Sequence, residues 1–289
     1  MLKALFKTMR PKQWAKNVFL LAAVVFDRKL TNVDAIVHTI LGLIVFSLVA
    51  SVVYIINDIA DVEADRQHPI KRNRPIAAGR LSISTAWTAV ALLLLISFPV
   101  AVWLSPAFAF VTFLYLLLNL LYSKWLKHVV LLDIILLASL YVIRVAAGVA
   151  LINVERFSPW IYIFTTFLAL LMGTGKRRAE LSEIADGPNA QRKVLEGYTL
   201  TFLDHLITLA SGMTIITYSL YTFSAPNLPE NHAMMLSIPF IMYGIFRYQY
   251  LLQVKGIGSA PEELVLSDWP LQLAIVLWGI AVLVVFYIS

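Results

Sequence analysis

The densest run of reactive side chains in this sequence is Asn57-Asp58-Ile59-Ala60-Asp61-Val62-Glu63-Ala64-Asp65. On a helix turning about 100° per residue, Asp61 and Asp65 lie about 60° and 20° from Asp58. Three carboxylates then share one face, with Glu63 on the other side. Carboxylates that close repel, by a few tenths of a kcal/mol per exposed i,i+4 pair and by more when desolvated. A cation must offset them. Hard oxygen ligands suit Mg²⁺, which takes one or two carboxylates and completes its shell with substrate phosphates. Asp58, Asp61 and Asp65 are therefore the expected metal ligands, and catalytic through the metal they hold. An ordinary solvated helix end would explain one such pair, but it explains three aligned carboxylates at a membrane boundary poorly.

A basic run follows at once, from His68 to Arg80, with Lys71, Arg72 and Arg74 at its centre. Guanidinium groups grip phosphate oxygens bidentately, and ammonium groups act as point charges. Pro69, Pro75 and Gly79 shape the loop. A second basic cluster is Lys176-Arg177-Arg178, with Glu180 four residues after Lys176. A third is Lys12 and Lys16, which share a helical face beside Trp14 and Asn17. Membrane topology or anionic lipid would account for the sign of these clusters. Neither accounts for the acidic helix adjoining the first.

These residues must be carried by a membrane scaffold. Of 289 residues, 60% are apolar and 14% charged, against about 25% charge in a soluble domain. Cys is absent, which removes disulfides, thiolate nucleophiles and Cys-ligated metals. The net charge of +6 would suggest nucleic acid in a soluble protein. Here it points to topology and phosphate-bearing ligands, with no nucleic-acid partner. Nine apolar stretches predict nine transmembrane helices, over 14–26, 35–56, 84–104, 107–122, 129–152, 159–175, 202–223, 233–252 and 269–288. Of 23 Lys and Arg residues, 19 fall on one side. Arg28, Lys29 and Arg156 fall on the other, and Arg144 lies within a span. The N-terminus is thus expected in the cytoplasm and the C-terminus outside. The reading is all-α: one transmembrane domain over 1–289, with long polar cytoplasmic loops at 57–83 and 176–201.

Arg144 is an intramembrane charge, which marks a function or a pairing. Asp133, eleven residues earlier, lies about 16 Å away along the axis, too far for contact. Arg144 is expected to pair with another helix in a structural role.

Asn57-Asp58-x-x-Asp61-x-x-x-Asp65 followed by Arg72-x-Arg74-Pro75 resembles the first signature of the UbiA superfamily of intramembrane prenyltransferases. Tyr122-Ser123, Lys127, Asp133, Arg144 and Gly148 are similar to the family pattern as well. The resemblance implies a nine-helix bundle with a polar cavity and a lateral gap for a lipid chain. Most members carry a second motif, Asp-x-x-x-Asp, after the sixth helix. Here that stretch reads Gly173-Thr174-Gly175-Lys176-Arg177-Arg178-Ala179-Glu180-Leu181; Asp186 stands alone and Asp204 lies near the next span. Basic residues replacing an acidic pair favour a further phosphate over a second metal cluster.

Arg10-Pro11-Lys12-Gln13-Trp14-Ala15-Lys16-Asn17, the Lys176 stretch, Arg192 and Tyr198 resemble the phosphoribosyltransferase branch of that superfamily. The branch transfers 5-phosphoribose from phosphoribosyl pyrophosphate (PRPP) to decaprenyl phosphate or a related polyprenyl phosphate. Pyrophosphate is released, and the product feeds arabinan precursor synthesis for the cell envelope. The resemblance implies Mg²⁺ on Asp58, Asp61 and Asp65, with Lys176 in catalysis. It implies substrate contacts from Lys12, Lys16, Asn17, Asn57, Lys71, Arg72, Arg74, Tyr122, Lys127, Arg177 and Glu180. It also implies a prokaryotic cytoplasmic membrane and allows a homotrimer. Two other functions fit the residues: prenyl transfer from a prenyl diphosphate to an aromatic or lipid acceptor, and lipid-phosphate transport.

Overall fold

Runs of Leu, Val, Ile and Ala without interruption by charge fold into helices because lipid leaves each backbone polar group to be satisfied within its own segment. The computed structural model describes residues 1–152, 154, 158–185, 193–226, 228–257 and 261–287. Arg156, Asp186 and Arg192 lie outside the described residues. Among those described, no strand occurs.

The chain forms two compact units, Met1–Lys124 with Ile143–Val154, and Trp125–Val142 with Glu155–Ser289. The first unit begins with α1 (Leu2–Thr8), a 3₁₀ stretch (Pro11–Leu21) and α2 (Ala22–Phe26). Next come α3 (Val33–Ala60), α4 (Val62–Gln67), α5 (Ile83–Leu104) and α6 (Pro106–Lys124). Asn32 opens α3 by accepting the Ala35 N–H at 3.0 Å, and Ser82 opens α5 by accepting the Thr85 N–H at 3.1 Å. Such caps satisfy amides that have no partner within the helix. α3 packs against α5, α6 and the 3₁₀ stretch.

The helix α7 (Leu132–Val149) gives Asp133 to the second unit and Arg144 to the first. Gly148 lets α7 meet the backbone of the 3₁₀ stretch, since a Cβ there would collide with the Leu20 carbonyl. The second unit holds α8 (Pro159–Ala185), α9 (Leu200–Ser224), α10 (Ile238–Gln253), α11 (Pro261–Ser267) and α12 (Trp269–Tyr287). α9 packs against α8 and α10, and α10 against α12. Tyr218 ties this unit together: its hydroxyl lies 2.6 Å from Ser237 Oγ and accepts the Trp278 indole N–H at 2.7 Å.

Six described helices are long and apolar enough to cross a membrane: α3, α5, α6, α7, α9 and α12. The chain is a multi-pass membrane protein, but the expected nine spans become six. Three stretches fall short for distinct reasons. Residues 14–26 divide between the 3₁₀ stretch and five-residue α2, and neither reaches the roughly 20 helical residues a bilayer core needs. α10 has only 16 residues, because the segment before it is a 3₁₀ turn, Ala233–Ser237. α8 has 27 residues, but its later turns carry Lys176, Arg177, Arg178 and Glu180.

Candidate functional site

In the first unit the acidic run sits where α3 gives way to α4. Asp61 is the joint, with φ −92° and ψ 7°. Helical bonding continues through it: the Asp61 N–H donates to Asn57 at 2.9 Å and the Asp65 N–H to Asp61 at 2.8 Å. Asp58 and Asp65, two turns apart, both face inward and are 2% and 3% exposed. Asp61 is exposed. The expected set of three aligned carboxylates is thus a buried pair plus exposed Asp61. Among the described residues no three acidic or imidazole groups gather into a metal cage.

The pair is held by arginine. Arg10 Nη2 donates to Asp58 Oδ1 at 2.5 Å. Arg74 Nη1 donates to the same oxygen at 3.2 Å and to Asp65 Oδ2 at 2.6 Å. Each carboxylate thus engages arginine through one oxygen and keeps its second oxygen clear of those bonds. This donor set fits Mg²⁺, which binds hard carboxylate oxygens one or two at a time and leaves the remaining positions to phosphate and water.

The other expected residues of this unit divide by exposure. Lys12, Lys71 and Arg72 are exposed, with Lys71 and Arg72 on a short 3₁₀ turn after α4; Lys16, Asn57 and Tyr122 are half-buried. Asn17, expected on substrate, is 1% exposed. Its amide donates to Ser47 Oγ at 2.9 Å, and its oxygen accepts Arg144 Nε at 3.0 Å. Arg144 Nη2 also donates to the Tyr115 hydroxyl at 3.1 Å. Arg144 therefore pairs across helices as expected, and it fixes the 3₁₀ stretch that carries Lys12 and Lys16.

In the second unit the basic cluster is largely internal. Arg177 has no exposed surface. Its Nε donates to Asp133 Oδ2 at 2.6 Å and its Nη1 to Glu180 Oε2 at 2.6 Å. The Tyr198 hydroxyl donates to Asp133 Oδ1 at 2.6 Å and accepts the Leu131 N–H at 2.6 Å. Burial, reinforced by donation to Asp133, pushes the Tyr198 phenol above its ordinary range. Arg178 donates to Asp204 at 2.6 Å. Arg177, expected on a substrate phosphate, is buried, and its guanidinium donates to Asp133 and Glu180. Lys176, one residue earlier on α8, is half-buried, as is Lys127.

Arg10, Tyr115, Asp133, Arg144 and Tyr198 were not among the expected site residues. Asp133 and Arg144 had a signal in sequence as charges within an apolar stretch, and Arg10 and Tyr198 lay in the stretches that resemble the phosphoribosyltransferase branch. Tyr115 had none, being one aromatic among many.

A model of the UbiA prenyltransferase family matches residues 18–262. The decaprenyl-phosphate phosphoribosyltransferase of Mycobacterium tuberculosis is 37% identical over 276 residues, covering 94% of this chain and 90% of that protein. The enzyme of the same name from Mycolicibacterium smegmatis is 35% identical, covering 96% and 91%. In fold, a UbiA homolog from Archaeoglobus fulgidus solved with DMAPP and Mg²⁺ matches with a TM-score of 0.74 at 19% identity, covering 99% of each chain. Sequence and fold agree from end to end, and the chain belongs to the UbiA prenyltransferase family.

Proposed function

We propose that this protein transfers 5-phosphoribose from PRPP to decaprenyl phosphate or a related polyprenyl phosphate and releases pyrophosphate. The observation that carries the proposal is the 37% identity, across more than nine-tenths of the chain, to an enzyme named for that transfer. The site chemistry supports it. The usual second acidic motif is replaced by a basic stretch, of which Lys176, together with exposed Lys71 and Arg72, suits a substrate set carrying several phosphates.

Asp58 and Asp65, with Asp61, would hold Mg²⁺. When bound, the ion neutralises charge on the departing pyrophosphate. The bond from ribose C1 to the pyrophosphate oxygen breaks with its electron pair leaving on pyrophosphate. A lipid phosphate oxygen forms the new bond to C1. That oxygen is already anionic, so no general base is required. Lys176, Lys71 and Arg72 orient phosphates, with Lys12, Lys16, Asn57, Tyr122 and Lys127 as further contacts. Asn17, Arg177 and Glu180 act by holding these segments in place. Positioning and electrostatics supply most of the rate. The basic segments face the cytoplasm, in keeping with the positive-inside rule.

The test is purified protein with PRPP, decaprenyl phosphate and Mg²⁺, followed by mass spectrometry. Lipid-linked phosphoribose and pyrophosphate should appear together. Prenyl transfer from a prenyl diphosphate to an aromatic acceptor, with no PRPP turnover, would overturn the proposal.

A further inference from the structure

Arg10 lies between α1 and the 3₁₀ stretch in a left-handed conformation, φ 53° and ψ 62°. Such a backbone is uncommon for a residue with a side chain and signals strain held in place by surrounding contacts. Two side-chain contacts hold this one. The guanidinium donates to Asp58 Oδ1 at 2.5 Å, and its Cζ lies 5.0 Å from the centre of the Tyr54 ring. Tyr54 and Asp58 are one turn apart on α3, so both grip Arg10 from one helix face. The following 3₁₀ stretch is fixed separately by Asn17 on Ser47 and Arg144.

Arg10 differs from Arg74 in what it touches. Arg74 bridges both carboxylates, whereas Arg10 is bonded to Asp58. Asp58 is 2% exposed, while the Arg10 side chain keeps 31% of its surface in contact with solvent. One positive charge thus sits on a buried carboxylate, carried by a partly exposed residue with a left-handed backbone.

Resting on the metal reading above, we propose that Arg10 is a positioning residue that occupies Asp58 in place of the divalent cation and yields it when the cation binds. Two guanidinium groups on two buried carboxylates leave the acid pair neutral. A divalent ion added to that neutral pair meets repulsion from both arginines. Withdrawal of Arg10 removes one of these and relaxes the left-handed backbone. Arg74 remains to keep Asp58 and Asp65 aimed. The arrangement keeps Asp58 oriented before the metal arrives, and it sets the metal affinity lower than the carboxylates alone would.

The test is Mn²⁺ binding to the full-length protein in detergent, read by electron paramagnetic resonance without substrate. A placeholder cation predicts the opposite sign from a structural support. Arg10→Ala should bind Mn²⁺ at least about fivefold tighter than wild type, the factor for one unit charge a few ångströms away in water-screened surroundings. Arg10→Gly, which accepts the left-handed backbone without strain, should show the same gain and keep the wild-type melting temperature or better. Arg10→Lys should stay near wild type. Unchanged or weaker binding in both Arg10→Ala and Arg10→Gly would overturn the inference while leaving the metal site standing, provided Asp58→Asn abolishes the signal. Wild-type protein that binds no Mn²⁺ through Asp58 would overturn the metal reading and this inference with it.

Discussion

Arg177 and Asp133 form an ion pair in which neither side chain has any exposed surface, with 2.6 Å between Nε and Oδ2. They lie 44 residues apart, on α8 and α7. The pair explains how a cluster that reads as a phosphate grip comes to act as a staple. Desolvating both ions is costly, and the pair persists because Tyr198 and Glu180 complete the remaining bonds.

Breaking that pair should damage the fold before it damages chemistry. Arg177→Ala or Asp133→Asn leaves a buried partner uncompensated, a loss of about 3–5 kcal/mol. Thermal unfolding in detergent measures it. Lys176→Ala should raise the KM for PRPP more than that for the lipid; equal effects on both substrates would contradict its place on PRPP.

The two inward carboxylates and the outward one should separate in kinetics. Asp58→Asn and Asp65→Asn are expected to abolish turnover in folded protein. Asp61→Asn should be milder, retaining measurable turnover with a raised Mg²⁺ requirement. Near-normal activity in both Asp58→Asn and Asp65→Asn would exclude the metal site.

Tyr198 predicts an alkaline limb in stability. Its phenol is raised above 10.0 by burial and by donation to Asp133. The folded state therefore favours the protonated form. That contribution is full below about pH 10 and is lost as pH climbs toward the higher folded value. Tyr198→Phe should flatten this limb in melting curves taken from neutral pH upward.

Asp268 predicts the reverse at low pH. Arg247 binds it through Nε at 3.1 Å and Nη2 at 2.8 Å, and these bonds hold its carboxyl below 3.8. Its stabilisation is present above the ordinary value and disappears as pH falls through the folded one. Asp268 also accepts the Leu271 N–H at 2.9 Å, opening α12. Asp268→Asn should remove the acid dependence while keeping part of the cap.

Asn17→Leu should strip Arg144 of one buried acceptor, at a cost of about 2–3 kcal/mol. If Asn17 acted only on substrate, melting would be unaffected.

The sequence by itself determined the chemical inventory and its local placement. Composition set the membrane class, because charge is too scarce for a soluble surface. Helical spacing put Asp58 and Asp65 on one face, and the structure has both inward. Spacing also carried Asp61 to that face, where the structure leaves it exposed. Partnership was decided only by tertiary structure. Arg144 finds Asn17 at a separation of 127 residues, and Arg177 finds Asp133 at 44. Whether an arginine grips a substrate phosphate or a buried aspartate depends on which helix face lies opposite it. Periodicity reports the face a residue shares with its own neighbours, and carries no information about the helix that packs against it. The same limit explains the spans, where hydropathy marked nine apolar stretches but backbone geometry broke two into short pieces and put charge into a third.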